Sequence, residues 1–210
     1  MNSKSGLILL AVLSFGLSAC ATMSGDECIA GDWSAIGYED GSHGYSIDRH
    51  ASYRKACAKH GVTPDFSAYQ NGRDRGLVEY CQPGRGFSIG SHGGSYSGVC
   101  SVDLEAEFLE AYNAGYQLYS LRSRVNRATS SINSMENELD KIEDLLLKHG
   151  VSLVTDDLTN EERVFIVAET KDLAERTGQL KAEVKDLYEV RARAEVELEH
   201  YLIVVADLGY

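Results

Sequence analysis

The sequence predicts a mainly α-helical protein, in which a small disulfide-linked domain precedes a long antiparallel coiled-coil hairpin. Three observations support this prediction. Four cysteines beyond a possible processing site lie in the first half of the chain, and glycines and tyrosines recur there at helical intervals. Two heptad patterns fill the second half. We therefore expect a compact Cys/Gly/Tyr-rich domain over residues 31–119 and an arm over residues 120–210, with its first helix starting near residue 103.

The first nineteen residues have the layout of a secretory signal. Lys4 lies in a polar start, an apolar run covers residues 7–17, and the small residues Ser18 and Ala19 precede a cysteine. The apolar run is too short to span a bilayer as a helix. Residues 1–19 are therefore a predicted signal peptide.

Cys20 directly follows Leu17-Ser18-Ala19, which resembles the lipobox of bacterial lipoproteins. The resemblance implies that Cys20 becomes the first mature residue and carries fatty acids such as palmitate. Each buried CH₂ contributes about 0.8 kcal/mol, so several chains anchor firmly. Residues 20–30 would then form a lipidated tether. By resemblance to the sorting rules of such lipoproteins, Ala21 after the cysteine implies the periplasmic face of the outer membrane. An ordinary secreted protein with a coincidental cysteine is the alternative.

Negative charge is concentrated in the second half of the chain. Residues 21–101 hold 9 acidic and 7 basic side chains, whereas residues 102–210 hold 23 acidic and 12 basic ones. No basic stripe is available to neutralise phosphates, so we expect no nucleic-acid partner. Anionic lipid headgroups would repel the acidic half, which we expect to project away from the membrane.

Apart from Cys20, the number of cysteines is even, as is typical of exported domains with disulfides. The four are Cys28, Cys57, Cys81 and Cys100. Three connectivities are possible; short local loops favour Cys28–Cys57 and Cys81–Cys100, each stabilising the fold by about 3 kcal/mol. Zinc binding is the alternative, but no Cys-x-x-Cys pair occurs, so we predict no metal site.

Glycines of the first half follow a helical spacing. The word Tyr-x-x-Gly occurs three times, beginning at Tyr38, Tyr69 and Tyr112, which indicates one kind of local packing used repeatedly. Glycines also recur three or four residues apart in two groups, Gly37, Gly41 and Gly44, and Gly72 and Gly76. A helix-interior glycine costs about 1 kcal/mol, so these glycines predict close approach of helix backbones. The alternative is that they mark turns between shorter helices.

The remaining elements of this domain are defined by start and stop signals. Residues 48–60 form a predicted helix stopped by Gly61. A second predicted helix covers residues 65–80, after the start signal Thr63-Pro64-Asp65. Residues 84–99 are rich in Gly and Ser, which predicts a loop or a small hairpin.

The arm is defined by two apolar seams with alternating steps of three and four residues. The first runs from Leu118 to Leu146 and the second from Ile166 to Leu208. Cations followed by Gly150 predict a helix end there, and a capping box beginning at Thr159 predicts the next helix start. Two seams joined by a short turn pack as an antiparallel hairpin.

A fold-back about residue 155 sets the expected register. It pairs Leu139 with Thr170, Val125 with Val184 and Phe108 with Tyr201. The polar seam residues Thr170, Thr177 and Arg191 weaken the seam. They either fix its register or mark contact with another chain, which leaves a homo-oligomer possible.

A combination of short motifs in residues 28–120 matches one known family. The motifs are Gly31-Asp32-Trp33, Ile36-Gly37-Tyr38-Glu39-Asp40-Gly41 with Gly44, Cys57, Gly61 with Pro64-Asp65, Tyr69-x-x-Gly72-Arg73-x-x-Gly76-Leu77 with Tyr80-Cys81, and Tyr96-x-Gly98-Val99-Cys100. The segment resembles the bacterial envelope lipoproteins with the domain of unknown function 2799. This resemblance implies a lipoprotein, supplies no catalytic residue, and does not explain the arm.

Catalytic chemistry has few candidate residues. Ser42-His43 and Ser91-His92, with Asp40 or Asp48 nearby, are the nucleophile and base candidates, but no Gly-x-Ser-x-Gly elbow is present. We interpret them as surface loop residues. His43 and His50 are metal-ligand candidates only if they share a helix face, and solvated histidines are the favoured interpretation. We predict no catalytic residue and no cofactor.

The sequence therefore predicts a non-enzymatic outer-membrane lipoprotein, whose acidic arm contacts an envelope protein in the periplasm. The alternative is a small-molecule or cell-wall binding module. Its aromatic base would bind through Trp33, Tyr38, Tyr69 and Arg73, because aromatic surfaces bind sugars and peptides. The more frequent role of such aromatic residues is to fill the core of a small domain.

Overall fold

The computed structural model describes residues 23–155 and 157–210. The predicted signal peptide and the lipidation site Cys20 lie outside the described residues. Within them the chain forms helices and one 3₁₀ turn: α1 Gly25–Ala30, α2 Trp33–Ser42, α3 Arg49–Cys57, the 3₁₀ turn Ala58–His60, α4 Phe66–Tyr80, α5 Pro83–Ser91, α6 Val102–Thr155 and α7 Asn160–Asp207. The chain divides into two compact units after Leu77, within the predicted domain of residues 31–119. The mainly α fold is confirmed.

The first unit is built around a disulfide and an aromatic cluster. Ser24 caps α1 in a capping box, and the Asp32 carboxylate accepts from the first free amides of α2. Its core cluster consists of Cys28, Trp33, Tyr53, Cys57 and Tyr69. The predicted disulfide between Cys28 and Cys57 is confirmed.

Glycines bring α2 and α4 into backbone contact. A Cβ added at Gly37 would overlap the carbonyl oxygen of Tyr69, and one at Gly72 would overlap that of Ser34. Gly41 and Gly76 make the same kind of contact one turn further along their helices. The helical interpretation of these glycines is therefore confirmed: each omits a side chain where the opposite backbone lies.

The second unit repeats this packing between α5 and α6. A Cβ at Gly90 would overlap the carbonyl oxygen of Tyr112, and one at Gly115 would overlap that of Phe87. The prediction of a loop or hairpin over residues 84–99 is therefore wrong for its first half. Pro83 begins α5 at a position that needs no amide donor, and contact with α6 stabilises a Gly-rich helix that propensity alone disfavours.

Residues 92–101 connect α5 to α6 and contain no strand. The predicted disulfide between Cys81 and Cys100 closes this segment. Both predicted pairings are thus confirmed, and the four sulfurs are not available as zinc thiolates. The Tyr96 hydroxyl donates to Glu105 at 2.9 Å and accepts from the Cys100 amide at 3.0 Å, which fixes the start of α6.

The two glycine-mediated helix pairs are built alike. α2 and α5 both end in the tetrapeptide Gly-Ser-His-Gly, at residues 41–44 and 90–93. Gly44 and Gly93 adopt the same left-handed conformation, with φ 73° in each case, as a helix C-terminus of this type requires. Aligning the two tetrapeptides pairs Gly41 with Gly90 and makes Ile89 the counterpart of Asp40.

The arm consists of α6 and α7, which pack as the predicted antiparallel pair. From Leu118 onward the buried residues all occupy predicted seam positions: Leu118, Leu121, Ala128, Ile132 and Ile142 in α6, and Leu180, Ala194 and Val205 in α7. The capping box of Thr159 with Glu162 is confirmed. No helix among residues 23–155 and 157–210 is both long and apolar enough to cross a bilayer.

The predicted end of the first arm helix and the predicted register are wrong. α6 continues through Gly150 to Thr155, because a single glycine inside a helix costs only about 1 kcal/mol. The turn consequently lies later in the chain than residue 155. Thr170 lies beside His149, 3.4 Å from its Nδ1, rather than beside Leu139, and the Tyr201 hydroxyl donates to the Ala114 carbonyl at 3.0 Å.

Candidate functional site

The predicted binding residues lie largely inside the first unit. Tyr69 is fully buried and Trp33 and Arg73 are nearly so, whereas Tyr38 is half-buried. Arg73 Nε donates to the Tyr45 carbonyl at 2.9 Å. Trp33 and Tyr69 therefore form the core of the unit and do not offer an open face on which a ligand could stack.

A buried carboxylate organises this interior. Asp40 accepts from the Tyr69 hydroxyl at 2.8 Å and from the Tyr53 hydroxyl at 3.2 Å. Arg49 Nε pairs with Asp40 at 3.0 Å. Burial, followed by the hydrogen bond to Asp40, raises the pKa of Tyr69 well above its ordinary value, so the Tyr69 hydroxyl keeps its proton and remains a donor.

This polar cluster distinguishes the first helix pair from the second. The counterpart of Asp40 in the second pair is Ile89. Tyr69 faces Gly37 in the first pair, and Phe108 takes the corresponding place opposite Gly86 in the second. The cluster holds Arg49 at the surface, with its guanidinium 4.0 Å above the ring of Tyr45. Sequence reasoning did not identify Asp40, Arg49 or Tyr53 as a group, because their spacing carries no recognised motif.

The serine–histidine pairs serve as helix ends. His43 Nδ1 lies 2.7 Å from the Glu39 carbonyl, and His92 Nδ1 lies 2.7 Å from the Ser88 carbonyl. A carbonyl only accepts, so each Nδ1 carries its proton and cannot take one from the neighbouring serine. Ser42 and Ser91 also donate to carbonyls of their own helices. Neither pair thus has the nucleophile–base arrangement considered from the sequence.

His43 and His50 do not share a helix face, because His43 ends α2 and His50 lies in α3. His50 is buried between Phe66 and Tyr69, with both ring centroids 5.0 Å away. Its ring forms a hydrogen bond with the Pro64 backbone, and its Nε2 has no hydrogen-bond partner among the described residues. It borders a groove of about 560 Å³ that is also lined by Ile47, Asp48, Ala51, Arg54, Thr63, Pro64 and Phe66.

The His50 environment predicts acid sensitivity of the first unit. Burial lowers the pKa of His50, with the charge of Arg54 acting in the same direction, while the Pro64 hydrogen bond and Asp65 oppose it. His50 therefore binds a proton more readily in the unfolded chain than in the folded one. The stability that neutral His50 contributes is fully present above pH about 6.5 and is lost as the pH falls through the lowered pKa.

We expect the urea midpoint followed by Trp33 fluorescence to fall between pH 7 and pH 5, and to fall less in His50→Gln. Trp33 is the one tryptophan of the chain and lies in the first unit, so it reports on that unit alone. An equal fall in both proteins would contradict this role of His50.

Charged pairs join the two arm helices along their exposed sides. Arg124 pairs with Glu197, and Arg176 Nε lies 2.9 Å from Glu138 Oε1. Tyr188 donates to Glu136 at 2.8 Å. Such exposed pairs add little stability individually, but they favour a single register for the hairpin.

The polar seam residues have partners within the chain. The Thr177 hydroxyl donates to the Leu173 carbonyl at 2.8 Å, and Thr170 lies beside His149. The Arg191 guanidinium lies 4.9 Å from the Tyr188 ring centroid and pairs with Glu195. These residues are therefore accommodated without a second chain, and their polarity is no evidence for a homo-oligomer.

The end of the arm exposes large apolar side chains on both helices. On α6, Leu147, Val151 and Val154 are 68%, 52% and 84% exposed. On α7, Val164, Phe165 and Val167 are 70%, 67% and 58% exposed. We call these six residues the tip patch. An apolar group of this kind on a single chain is typical of an interaction surface.

Comparison with known proteins gives one match. Residues 32–117 match a family model described as "Protein of unknown function (DUF2799)", so the resemblance drawn from the motifs is shown. The matched segment contains both glycine-mediated helix pairs and ends where the arm seam begins. No curated protein and no solved structure gives a significant match to the chain.

Proposed function

We propose that the protein is a non-enzymatic envelope lipoprotein, held by acylated Cys20 at the periplasmic face of the outer membrane, and that its acidic arm contacts another envelope protein. The single observation that supports the interaction role is the exposed tip patch at the end of a hairpin of two long helices. Burial of the seam holds the two helices together, and among the described residues nothing covers the six exposed apolar side chains at the end of the hairpin.

The charge of the arm supports a protein partner over a lipid surface. Residues 102–210 have 23 acidic and 12 basic side chains. Anionic lipids repel such a surface, whereas a protein with complementary basic residues gains both association rate and specificity from it.

Affinity purification from intact envelopes tests the interaction role. We expect a tagged chain with Phe165→Ser and Val154→Ser to recover its partner less efficiently than the wild type. Val190→Ser, which removes an exposed apolar side chain of α7 away from the tip, is the matched control. Identical partner recovery by the tip variant, the control and the wild type would count against an arm that binds proteins.

Metabolic labelling with an alkyne analogue of palmitate tests the anchor. We expect label on the wild-type chain and none on Cys20→Ser, because acylation requires the thiol. Carbonate or high-salt washing should then release Cys20→Ser from membranes and leave the wild type bound. A wild-type chain without label would exclude the lipoprotein assignment while leaving the arm proposal open.

The second candidate is a small-molecule or cell-wall binding module. The His50 groove favours it, since an unpaired buried Nε2 at the edge of a groove of about 560 Å³ accepts a hydrogen bond from a ligand hydroxyl or amide. Saturation-transfer NMR with soluble peptidoglycan fragments tests this candidate. Signals that persist in His50→Gln and Phe66→Ala would exclude the groove as the binding site.

A further inference from the structure

Gly150 differs from the other interior glycines of the long helices and helix pairs. Gly37, Gly41, Gly72, Gly76, Gly86, Gly90 and Gly115 each face the backbone of a neighbouring helix, so an added Cβ would collide with it. At Gly150 and Gly178 nothing lies within 4 Å of an added Cβ. Most of these interior glycines therefore mark a helix contact, whereas no helix of the described residues faces Gly150.

The surroundings of Gly150 have the form of a helix-binding surface. Leu147, Val151 and Val154 follow one another by four and three residues, which is the spacing of a coiled-coil seam. They are exposed on α6, and together with Leu146, Gly150 and Thr155 they line a groove of about 390 Å³. Gly178 is also open, but it is flanked by Thr177 and Gln179 and lacks such an apolar seam.

The charge around this seam decides between possible partners. Residues 143–155 and 157–172, in the outer part of the hairpin, contain 7 acidic and 3 basic side chains, a net charge of −4. A second copy would bring an equal negative charge to the contact, and an anionic membrane would do the same. A cationic partner gains from this charge, because complementary charges steer association and like charges oppose it.

We infer that Leu147, Gly150, Val151 and Val154 form the docking surface for a cationic amphipathic helix of another protein. The partner helix inserts its apolar side chains beside Gly150, where the absent Cβ allows close approach, and its basic residues lie against the acidic flanks of the hairpin. This inference rests on the proposed interaction role of the arm and names the surface and the chemistry of the partner.

Binding of synthetic helical peptides to the purified full chain tests the inference. The probe is a fluorescent amphipathic peptide with leucine on one face and lysine on the other, and the counter-probe has glutamate in place of lysine. We expect the lysine peptide to bind at least about tenfold more tightly than the glutamate peptide. We also expect Val151→Ser with Val154→Ser, and separately Gly150→Leu, to weaken binding about tenfold.

Gly178→Leu is the matched control, since it makes the same change at the other open glycine of the arm. It should bind the lysine peptide as the wild type does. Far-UV circular dichroism of each variant confirms that the hairpin is folded before affinities are compared. Leucine has a higher helix propensity than glycine, so Gly150→Leu is expected to weaken peptide binding without reducing the helix content of the arm.

Three results would overturn the inference. Equal binding by wild type, Val151→Ser with Val154→Ser and Gly150→Leu would show that the peptide responds to net charge alone. Sedimentation of the chain as a dimer that Gly150→Leu dissociates would assign the surface to a second copy. Binding to phosphatidylglycerol vesicles that the same variants abolish would assign it to a membrane. If the variant with Phe165→Ser and Val154→Ser also recovers its partner from cells as the wild type does, the proposed interaction role of the arm fails too. If only the peptide-binding experiment fails, the proposed interaction role stands.

Discussion

Gly37→Ala is expected to unfold the first unit under conditions where the wild type is stable. The added methyl group would overlap the Tyr69 carbonyl oxygen, and backbone cannot move aside as a flexible side chain can. Overpacking of this kind costs about 3 kcal/mol, which exceeds the gain in helix propensity of about 1 kcal/mol from glycine to alanine. The measurement is urea unfolding followed by Trp33 fluorescence.

Gly178→Ala is the matched control for this prediction. Open space surrounds Gly178, so the same substitution is expected to stabilise the arm by up to about 1 kcal/mol, as measured by far-UV circular dichroism. If Gly37→Ala left the Trp33 midpoint unchanged, α2 and α4 would not be in the backbone contact described above.

Loss of the Cys28–Cys57 disulfide is also expected to destabilise the first unit strongly. The bond joins residues that are 29 apart in sequence, and the chain-entropy model assigns such a loop about 3.5 kcal/mol. Both sulfurs lie in the buried cluster that contains Trp33. We therefore expect Cys28→Ser with Cys57→Ser to lower the urea midpoint of Trp33 fluorescence strongly.

Cys81→Ser with Cys100→Ser provides the comparison within the same chain. This disulfide joins residues that are 19 apart in sequence, for which the chain-entropy model gives a stabilisation of about 3 kcal/mol. It lies in the second unit. We expect it to destabilise that unit and to leave the Trp33 midpoint close to that of the wild type. Equal shifts of the Trp33 midpoint in both double variants would contradict separate roles for the two bonds.

Features that depend on local order in the sequence could be predicted. The disulfide pairing followed from short loops, and the arm seams followed from alternating steps of three and four residues. The glycine contacts could be predicted because a glycine inside a helix destabilises it, and close packing against another helix is the interaction that compensates. In each case the residues that interact are close in sequence or belong to a strong period.

Features that depend on tertiary contacts could not be predicted in the same way. Propensity disfavours a helix at residues 83–91, and only the contact of Gly86 and Gly90 with α6 makes it stable. The carboxylate of Asp40 meets Tyr69 across 29 residues of sequence, and no spacing rule links them. One signal was available: the tetrapeptide Gly-Ser-His-Gly at residues 41–44 and 90–93 indicates that the second copy ends a helix as the first does.

The position of the turn decides which residues of the arm are exposed on a helix. The cations before Gly150 predict a helix end there, yet α6 continues to Thr155. The extra turn places Val151 and Val154 on the outer face of a helix rather than in a connection. The tip patch therefore could not be predicted from the sequence.

Photo-crosslinking in intact cells tests most directly whether the arm tip contacts another protein. A photoreactive amino acid replaces Val151 in one strain and Gly178 in another. We expect a single discrete adduct from position 151, larger than the chain by the mass of a different protein, no equivalent adduct from position 178, and loss of the first adduct when Gly150→Leu is added. Equal adducts from both positions, an adduct of the chain with itself, or no adduct from position 151 would contradict this account of the arm.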